Sequence, residues 1–142
     1  MKKILIAILL LSACKKDNVS PTTSAPTNTV PSDIIGSYHG HSDCSPNGSY
    51  TENISVLNYS STAVKITSLP QLTDDTLIVT VSGNTMTVTT QSFPNTGWSG
   101  GTKTVIGSGV YSSPQIQLNL SVTFTSGQPT IVYNCTTTIN RQ

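Results

Sequence analysis

An all-β domain of about eight antiparallel strands is the fold that the sequence predicts for residues 33–142. Apolar residues recur at every second position there, rather than with the 3.6-residue period of a helix. Turn sequences such as Gly83-Asn84 separate the alternating runs. Threonine, a strand former, is abundant, whereas the helix formers alanine, glutamate and lysine are rare.

The alternation is clearest in Gln115–Thr125, where apolar and polar residues alternate without interruption from Ile116 to Thr125. The other strands are expected near Gly36–Cys44, Ser49–Leu57, Ala63–Ser68, Thr76–Ser82, Thr85–Gln91, Lys103–Tyr111 and Thr130–Asn140. Mostly short connections favour an antiparallel meander. Such a meander closes into a small barrel or folds as a β-sandwich. We favour the barrel, because closure removes exposed strand edges.

The N-terminus has the three parts of a lipoprotein signal. Lys2 and Lys3 precede a short apolar run, Ile4–Leu11, which is far below the roughly 20 residues of a membrane-spanning helix. This pattern is typical of a cleaved signal peptide. Leu11-Ser12-Ala13-Cys14 resembles the lipobox of bacterial lipoproteins. The resemblance implies removal of residues 1–13 and attachment of lipid to Cys14, which makes a membrane the partner.

The residues after Cys14 indicate where the protein is localised and contain a spacer. In the lipoprotein family an aspartate after the cysteine retains the protein at the inner membrane, and Lys15 here implies the outer membrane instead. The sequence selects neither the periplasmic nor the outer face. Residues 14–32 contain Pro21, Pro26 and Pro31 among polar residues, a composition typical of a disordered tether. One domain follows, over residues 33–142.

Charge and cysteine content narrow the function classes further. From residue 33 onward five acids (Asp33, Asp43, Glu52, Asp74, Asp75) face only three bases (Lys65, Lys103, Arg141). That balance argues against a nucleic-acid partner, which requires a basic stripe. Cys44 and Cys135 remain after lipidation, and the oxidising envelope favours their pairing. Both lie in phase with inward-facing residues of the first and last strands, which are neighbours in a closed meander, so we predict a Cys44–Cys135 disulfide.

Short motifs in the domain resemble those of lipocalin-like, or calycin-like, envelope lipoproteins. Ile34-Ile35-Gly36-Ser37-Tyr38 is similar to their Gly-x-Tyr/Trp opening of the first strand, and Ile106-Gly107-Ser108-Gly109 is similar to a later strand. Cys135 in the final strand also fits. The resemblance implies a barrel that holds a small apolar ligand. The segment Ser92–Thr102 has no counterpart in the family pattern.

Four residues are candidate ligand contacts. Trp98, the sole tryptophan, lies with Phe93 in a glycine-rich loop, where an exposed indole can stack on a ligand. The alternative is that both rings fold back as a plug over the barrel end. Glu52 is in phase with inward-facing Ile54, so it lies either at the barrel mouth or at a wet rim. Tyr38 faces inward on the first strand.

The remaining motifs do not point to catalysis. His39-Gly40-His41 places two imidazoles on one strand face with Asp43 in phase, a spacing that can chelate zinc or copper. That face lies opposite Tyr38, and we therefore expect solvated side chains and no metal or cofactor. Gly107-Ser108-Gly109 is not the Gly-x-Ser-x-Gly of hydrolases. It is better explained by a bend or close packing in a curved strand.

Two functions are consistent with these residues. The first is a non-catalytic, membrane-anchored module that binds a small apolar or amphipathic ligand. The alternative is an interaction subunit of an envelope or surface complex, in which a filled barrel is only a scaffold. The shape of the interior, open or packed, discriminates between them.

Overall fold

A computed structural model describes residues 29–69, 72–95, 101–125 and 129–142 as one closed barrel. Its antiparallel strands follow the chain order: β1 (Gly36–Ser45), β2 (Gly48–Ser60), β3 (Ala63–Leu69), β4 (Leu72–Ser82), β5 (Thr85–Pro94), β6 (Thr102–Ser112), β7 (Gln115–Thr125) and β8 (Ile131–Arg141). Strand β8 pairs with β1 and closes the barrel. The barrel prediction is therefore confirmed, and the sandwich is wrong.

Strand positions agree closely with the alternation in the sequence, and β7 has the predicted bounds. The largest difference is at β4, which begins at Leu72 rather than near Thr76. Asp74 and Asp75 interrupt the apolar alternation at this point. Since charged residues are expected to be exposed, the alternation placed the start of the strand after them. Within the described residues, no helix is long and apolar enough to cross a membrane.

The two ends of the barrel differ. One end, called here the loop end, is where β1, β3, β5 and β7 finish and the next strands start. The opposite end, called here the closed end, is covered by a 3-10 helix, Ser32–Ile34, whose Ile34 is completely buried. Sequence periodicity did not predict this helix, since three residues are too few to show a period.

Two side chains fix the 3-10 helix over the closed end. The Tyr38 hydroxyl donates a 2.6 Å hydrogen bond to the Ile34 carbonyl, and burial raises the pKa of Tyr38. Arg141, at the end of β8, donates to the carbonyls of Asp33 and Ile35. These hydrogen bonds join the start of the domain to its first and last strands.

Gly107 and Gly109 allow β6 to approach β7 closely, as the close-packing interpretation predicted. A Cβ atom at Gly107 would collide with the Asn119 carbonyl oxygen, and one at Gly109 would collide with that of Gln117. Backbone atoms cannot move aside as the end of a flexible side chain can. The absence of a side chain at both positions is therefore a requirement of the β6–β7 pairing.

We expect Gly107→Ala to lower the free energy of unfolding by about 1–3 kcal/mol, the usual effect of overpacking. The matched control is Ser108→Ala on the exposed face of the same strand, where the change should stay within about 0.5 kcal/mol. Urea unfolding of both variants measures the difference. Equal midpoints for the two variants would mean that β6 can shift outward at little cost.

Candidate functional site

Inward-facing aromatic side chains gather at the loop end of the barrel. Phe93 on β5, Phe124 on β7 and Tyr133 on β8 are half-buried and pack against the core. The rings of Phe124 and Tyr133 lie 5.3 Å apart between centroids in an edge-to-face arrangement, which is a favourable geometry for an aromatic pair. In the strand register Lys103 is paired with both Phe93 and Phe124. These three rings line what we call the mouth.

A buried ion pair lies among these rings. Lys103 Nζ is 2.5 Å from Asp75 Oδ2, and the two side chains are only 10% and 13% exposed. Asp75 belongs to β4 and Lys103 to β6, which are separated by β5 in the sheet. The pair therefore reaches across the barrel interior. Sequence reasoning missed it, although Asp75 is in phase with inward-facing Leu77, and Lys103 with Val105.

The barrel wall is split between β4 and β5. These strands pair only at Thr80–Thr87, Val81–Met86 and Ser82–Thr85, near the closed end. Beyond that point the side chain of Gln91 takes the place of a backbone partner. Its amide accepts a hydrogen bond from Ile78 N at 2.9 Å and donates one to Ile78 O at 2.7 Å. The Asp75–Lys103 pair joins β4 to β6 across this split.

Below the mouth the barrel is filled by its own side chains. Large apolar residues from several strands have no solvent-accessible surface: Val56, Val64, Ile66, Leu77, Val79, Met86, Val105, Ile116, Leu118 and Ile139. A side chain with no accessible surface does not line a water-sized void. The middle and closed end of the barrel thus form a packed core, which leaves no space for a ligand there.

The structure places one of the four candidate ligand contacts, Phe93, at the mouth, where it faces inward. Glu52 lies half-buried on the inward face of β2, opposite Gly40. Tyr38 is completely buried at the closed end, so it does not share a site with Phe93. Trp98 lies outside the described residues, between Asn95 and Gly101, whose backbones are joined by a 3.0 Å hydrogen bond.

The predicted disulfide is confirmed. Cys44 and Cys135 are bonded, and they are directly paired residues of β1 and β8 with Cα atoms 4.1 Å apart. The neighbouring inward pair, Ser42 and Thr137, shares a buried 2.7 Å hydrogen bond. A disulfide and a hydrogen bond thus join the first and last strands in the half of the barrel nearer the loop end.

The two histidines lie on the outer face, as predicted. His39 contacts the Asn53 side chain at 3.3 Å, and His41 Nε2 lies 3.3 Å from Asp43 Oδ1. The Ser49 hydroxyl donates to Asp43 and, with a smaller contribution from His41, lowers the pKa of that exposed carboxyl. Among the described side chains, no three histidine, cysteine, aspartate or glutamate residues are grouped so as to hold a metal ion.

Comparison with known proteins adds no relative. The chain matches no protein-family model, no curated protein and no solved structure. Function is therefore inferred from the chemistry of the mouth and from the N-terminal residues.

Proposed function

We propose that this chain is an outer-membrane lipoprotein of the cell envelope, held through lipid on Cys14. Its lipocalin-like barrel is a non-catalytic module that binds a small amphipathic ligand at the mouth. The observation that carries the proposal is the group of half-buried, inward-facing rings, Phe93, Phe124 and Tyr133, beside a buried ion pair.

The chemistry of the mouth favours an amphipathic ligand over a purely apolar one. The three rings offer apolar surface, and burial of such surface is the main source of affinity for small ligands. Lys103 and Asp75 offer a cation and an anion to a polar head group. Because the core below is packed, the ligand lies between the rings and the split rather than deep in the barrel.

Binding of oleate tests this proposal. We expect oleate to bind the purified protein and Phe124→Ser to weaken that binding about tenfold or more, since a buried phenyl ring contributes about 1.5–3 kcal/mol. Tyr59→Ser is the matched control, because Tyr59 is an aromatic residue on the outer face with 55% of its surface exposed. Titration calorimetry gives the affinities. Equal affinity of both variants would exclude the mouth as the site.

A native ligand gives a second readout. Extraction of the protein purified from its host, followed by mass spectrometry, should release a low-mass amphipathic compound from the wild type. The compound should be absent from Phe124→Ser. Protein that is free of such a compound, and that also fails to bind oleate, would contradict the proposed function.

The filled interior favours a second candidate function, an interaction subunit whose surface binds an envelope protein. Val132 remains 44% exposed on the outer face at the start of β8, next to Ile131, which is 39% exposed at the rim of the mouth; contiguous exposed apolar surface is typical of interaction sites. A photoreactive residue in place of Val132 should then cross-link to one protein partner in cells. The same residue in place of Thr138, farther along the outer face of β8, is the control.

A further inference from the structure

We propose that the closed end of the barrel lies on the anionic phospholipid leaflet that carries the lipid of Cys14. The contact is made by Leu57, Tyr59 and Lys65, called here the closed-end patch. This inference rests on the proposed lipidation and adds an orientation to it: the mouth points away from the membrane.

The chain enters the domain at the closed end. Val30 N donates a 2.8 Å hydrogen bond to Ser61 O in the β2–β3 turn, and the 3-10 helix Ser32–Ile34 follows over the same end. Residues 15–28 alone separate Cys14 from the first described residue, Thr29. They span at most about 50 Å when fully extended. The lipid is thus connected to the closed end by a short segment, whereas the mouth lies at the far end of the strands.

The closed-end patch is suited to a lipid–water interface. Leu57 and Tyr59 are 48% and 55% exposed near the end of β2, and tyrosine is enriched where membranes meet water. Lys65 pairs with Leu57 across the β2–β3 ladder, and its Nζ lies 5.1 Å from the centre of the Tyr59 ring. A lysine stem can cover apolar surface while its ammonium group reaches a phosphate.

The charge distribution favours the same orientation. Among the side chains that the structure describes, half-buried Lys65 and exposed Arg141 both lie toward the closed end, with Asp33 as the acid there. The third cation, Lys103, is buried at the mouth beside Asp75, and Asp43 and Glu52 also lie in the loop half of the barrel. Anionic phospholipids therefore attract the closed end of the barrel and repel the loop end.

Exposed apolar residues at the loop end do not form an equivalent surface. Val132 is exposed on the outer face there, but the residue paired with it in the described ladder, Thr123, is uncharged. Its neighbour Ile131 is paired with Phe124 and so belongs to the inward face. The closed-end patch therefore combines apolar exposure, a neighbouring cation and proximity to the lipidated segment.

Brominated lipids, which quench a nearby indole, test the orientation. The lipidated full chain is reconstituted on phosphatidylcholine–phosphatidylglycerol vesicles with plain or brominated acyl chains. Trp98→Phe removes the native tryptophan, and Tyr59→Trp or Thr51→Trp then reports from either end of β2. These positions are roughly 25 Å apart along the strand. We expect brominated lipid to remove about half of the Tyr59→Trp emission and almost none of the Thr51→Trp emission.

The outcomes separate the orientation from the lipid anchor. Vesicle flotation of the wild type and of Cys14→Ser reports anchoring independently of quenching. Flotation that requires Cys14, together with selective quenching at position 59 that Lys65→Glu reduces, supports the proposal. Flotation with equal or absent quenching at both positions overturns the orientation and leaves the anchor intact. Absence of Cys14-dependent flotation overturns the anchor, and the orientation with it.

Discussion

Replacement of both Cys44 and Cys135 by alanine should lower the free energy of unfolding by about 4–5 kcal/mol. The disulfide joins residues 91 positions apart, so it removes a large amount of chain entropy from the unfolded state. It also joins β1 to β8, the strand pair that closes the barrel. Guanidinium unfolding of the oxidised wild type and of the double variant measures the difference.

Reduced wild-type protein is the control for this prediction, because it lacks the bond but keeps both sulfur atoms in the core. Its unfolding free energy should fall within about 1 kcal/mol of the double variant. A loss below about 1 kcal/mol in both proteins would indicate that the β1–β8 ladder alone holds the barrel closed. In that case the unfolded chain retains enough structure for the cross-link to add little.

Period-two alternation was sufficient to predict most strands and the disulfide, because both depend on which face a residue occupies. The run from Ile116 to Phe124 specifies β7 by itself. Cys44 and Cys135 are each in phase with inward residues, and a meander brings their strands together. Local pattern and simple topology thus determined the covalent link across 91 residues.

The mouth could not be predicted in the same way, because it depends on contacts between strands that are not neighbours. No local pattern links Asp75 to Lys103, and only the closed barrel brings them together. The split depends on Gln91, whose side chain replaces a backbone partner after a register shift between Val88 and Gln91. A single glutamine in a polar stretch carries no such signal. Glu52 was placed inward by phase, whereas Phe93 was expected in the loop after β5, and the neighbours of both were unknown.

Lys103→Met should lower the free energy of unfolding by about 3–5 kcal/mol. The substitution preserves most of the side-chain volume but leaves the Asp75 carboxylate in the interior without its cation. An uncompensated buried charge is far more destabilising than the loss of a solvated pair. Lys65→Met is the matched control, since Lys65 lies on the outer face, and its effect should stay within about 0.5 kcal/mol. Urea unfolding measures both variants.

The double variant Asp75→Leu/Lys103→Met shows what the ion pair contributes. Apolar replacement of both partners removes the desolvation cost along with the attraction, so we expect stability near or above that of the wild type. The coupling between the two substitutions should then be at least about 2 kcal/mol. Similar effects of Lys103→Met and Lys65→Met would instead indicate that water screens the pair.

Oleate binding by this double variant connects stability to function. If apolar residues can replace the ion pair without loss of stability, then a contribution to folding does not explain why the pair is present. If its function is to receive a polar head group, the double variant should fold as well as the wild type and bind oleate about tenfold more weakly. Unchanged oleate affinity, with wild-type stability, would show that the pair does not receive the head group and would leave the aromatic rings as the whole binding surface.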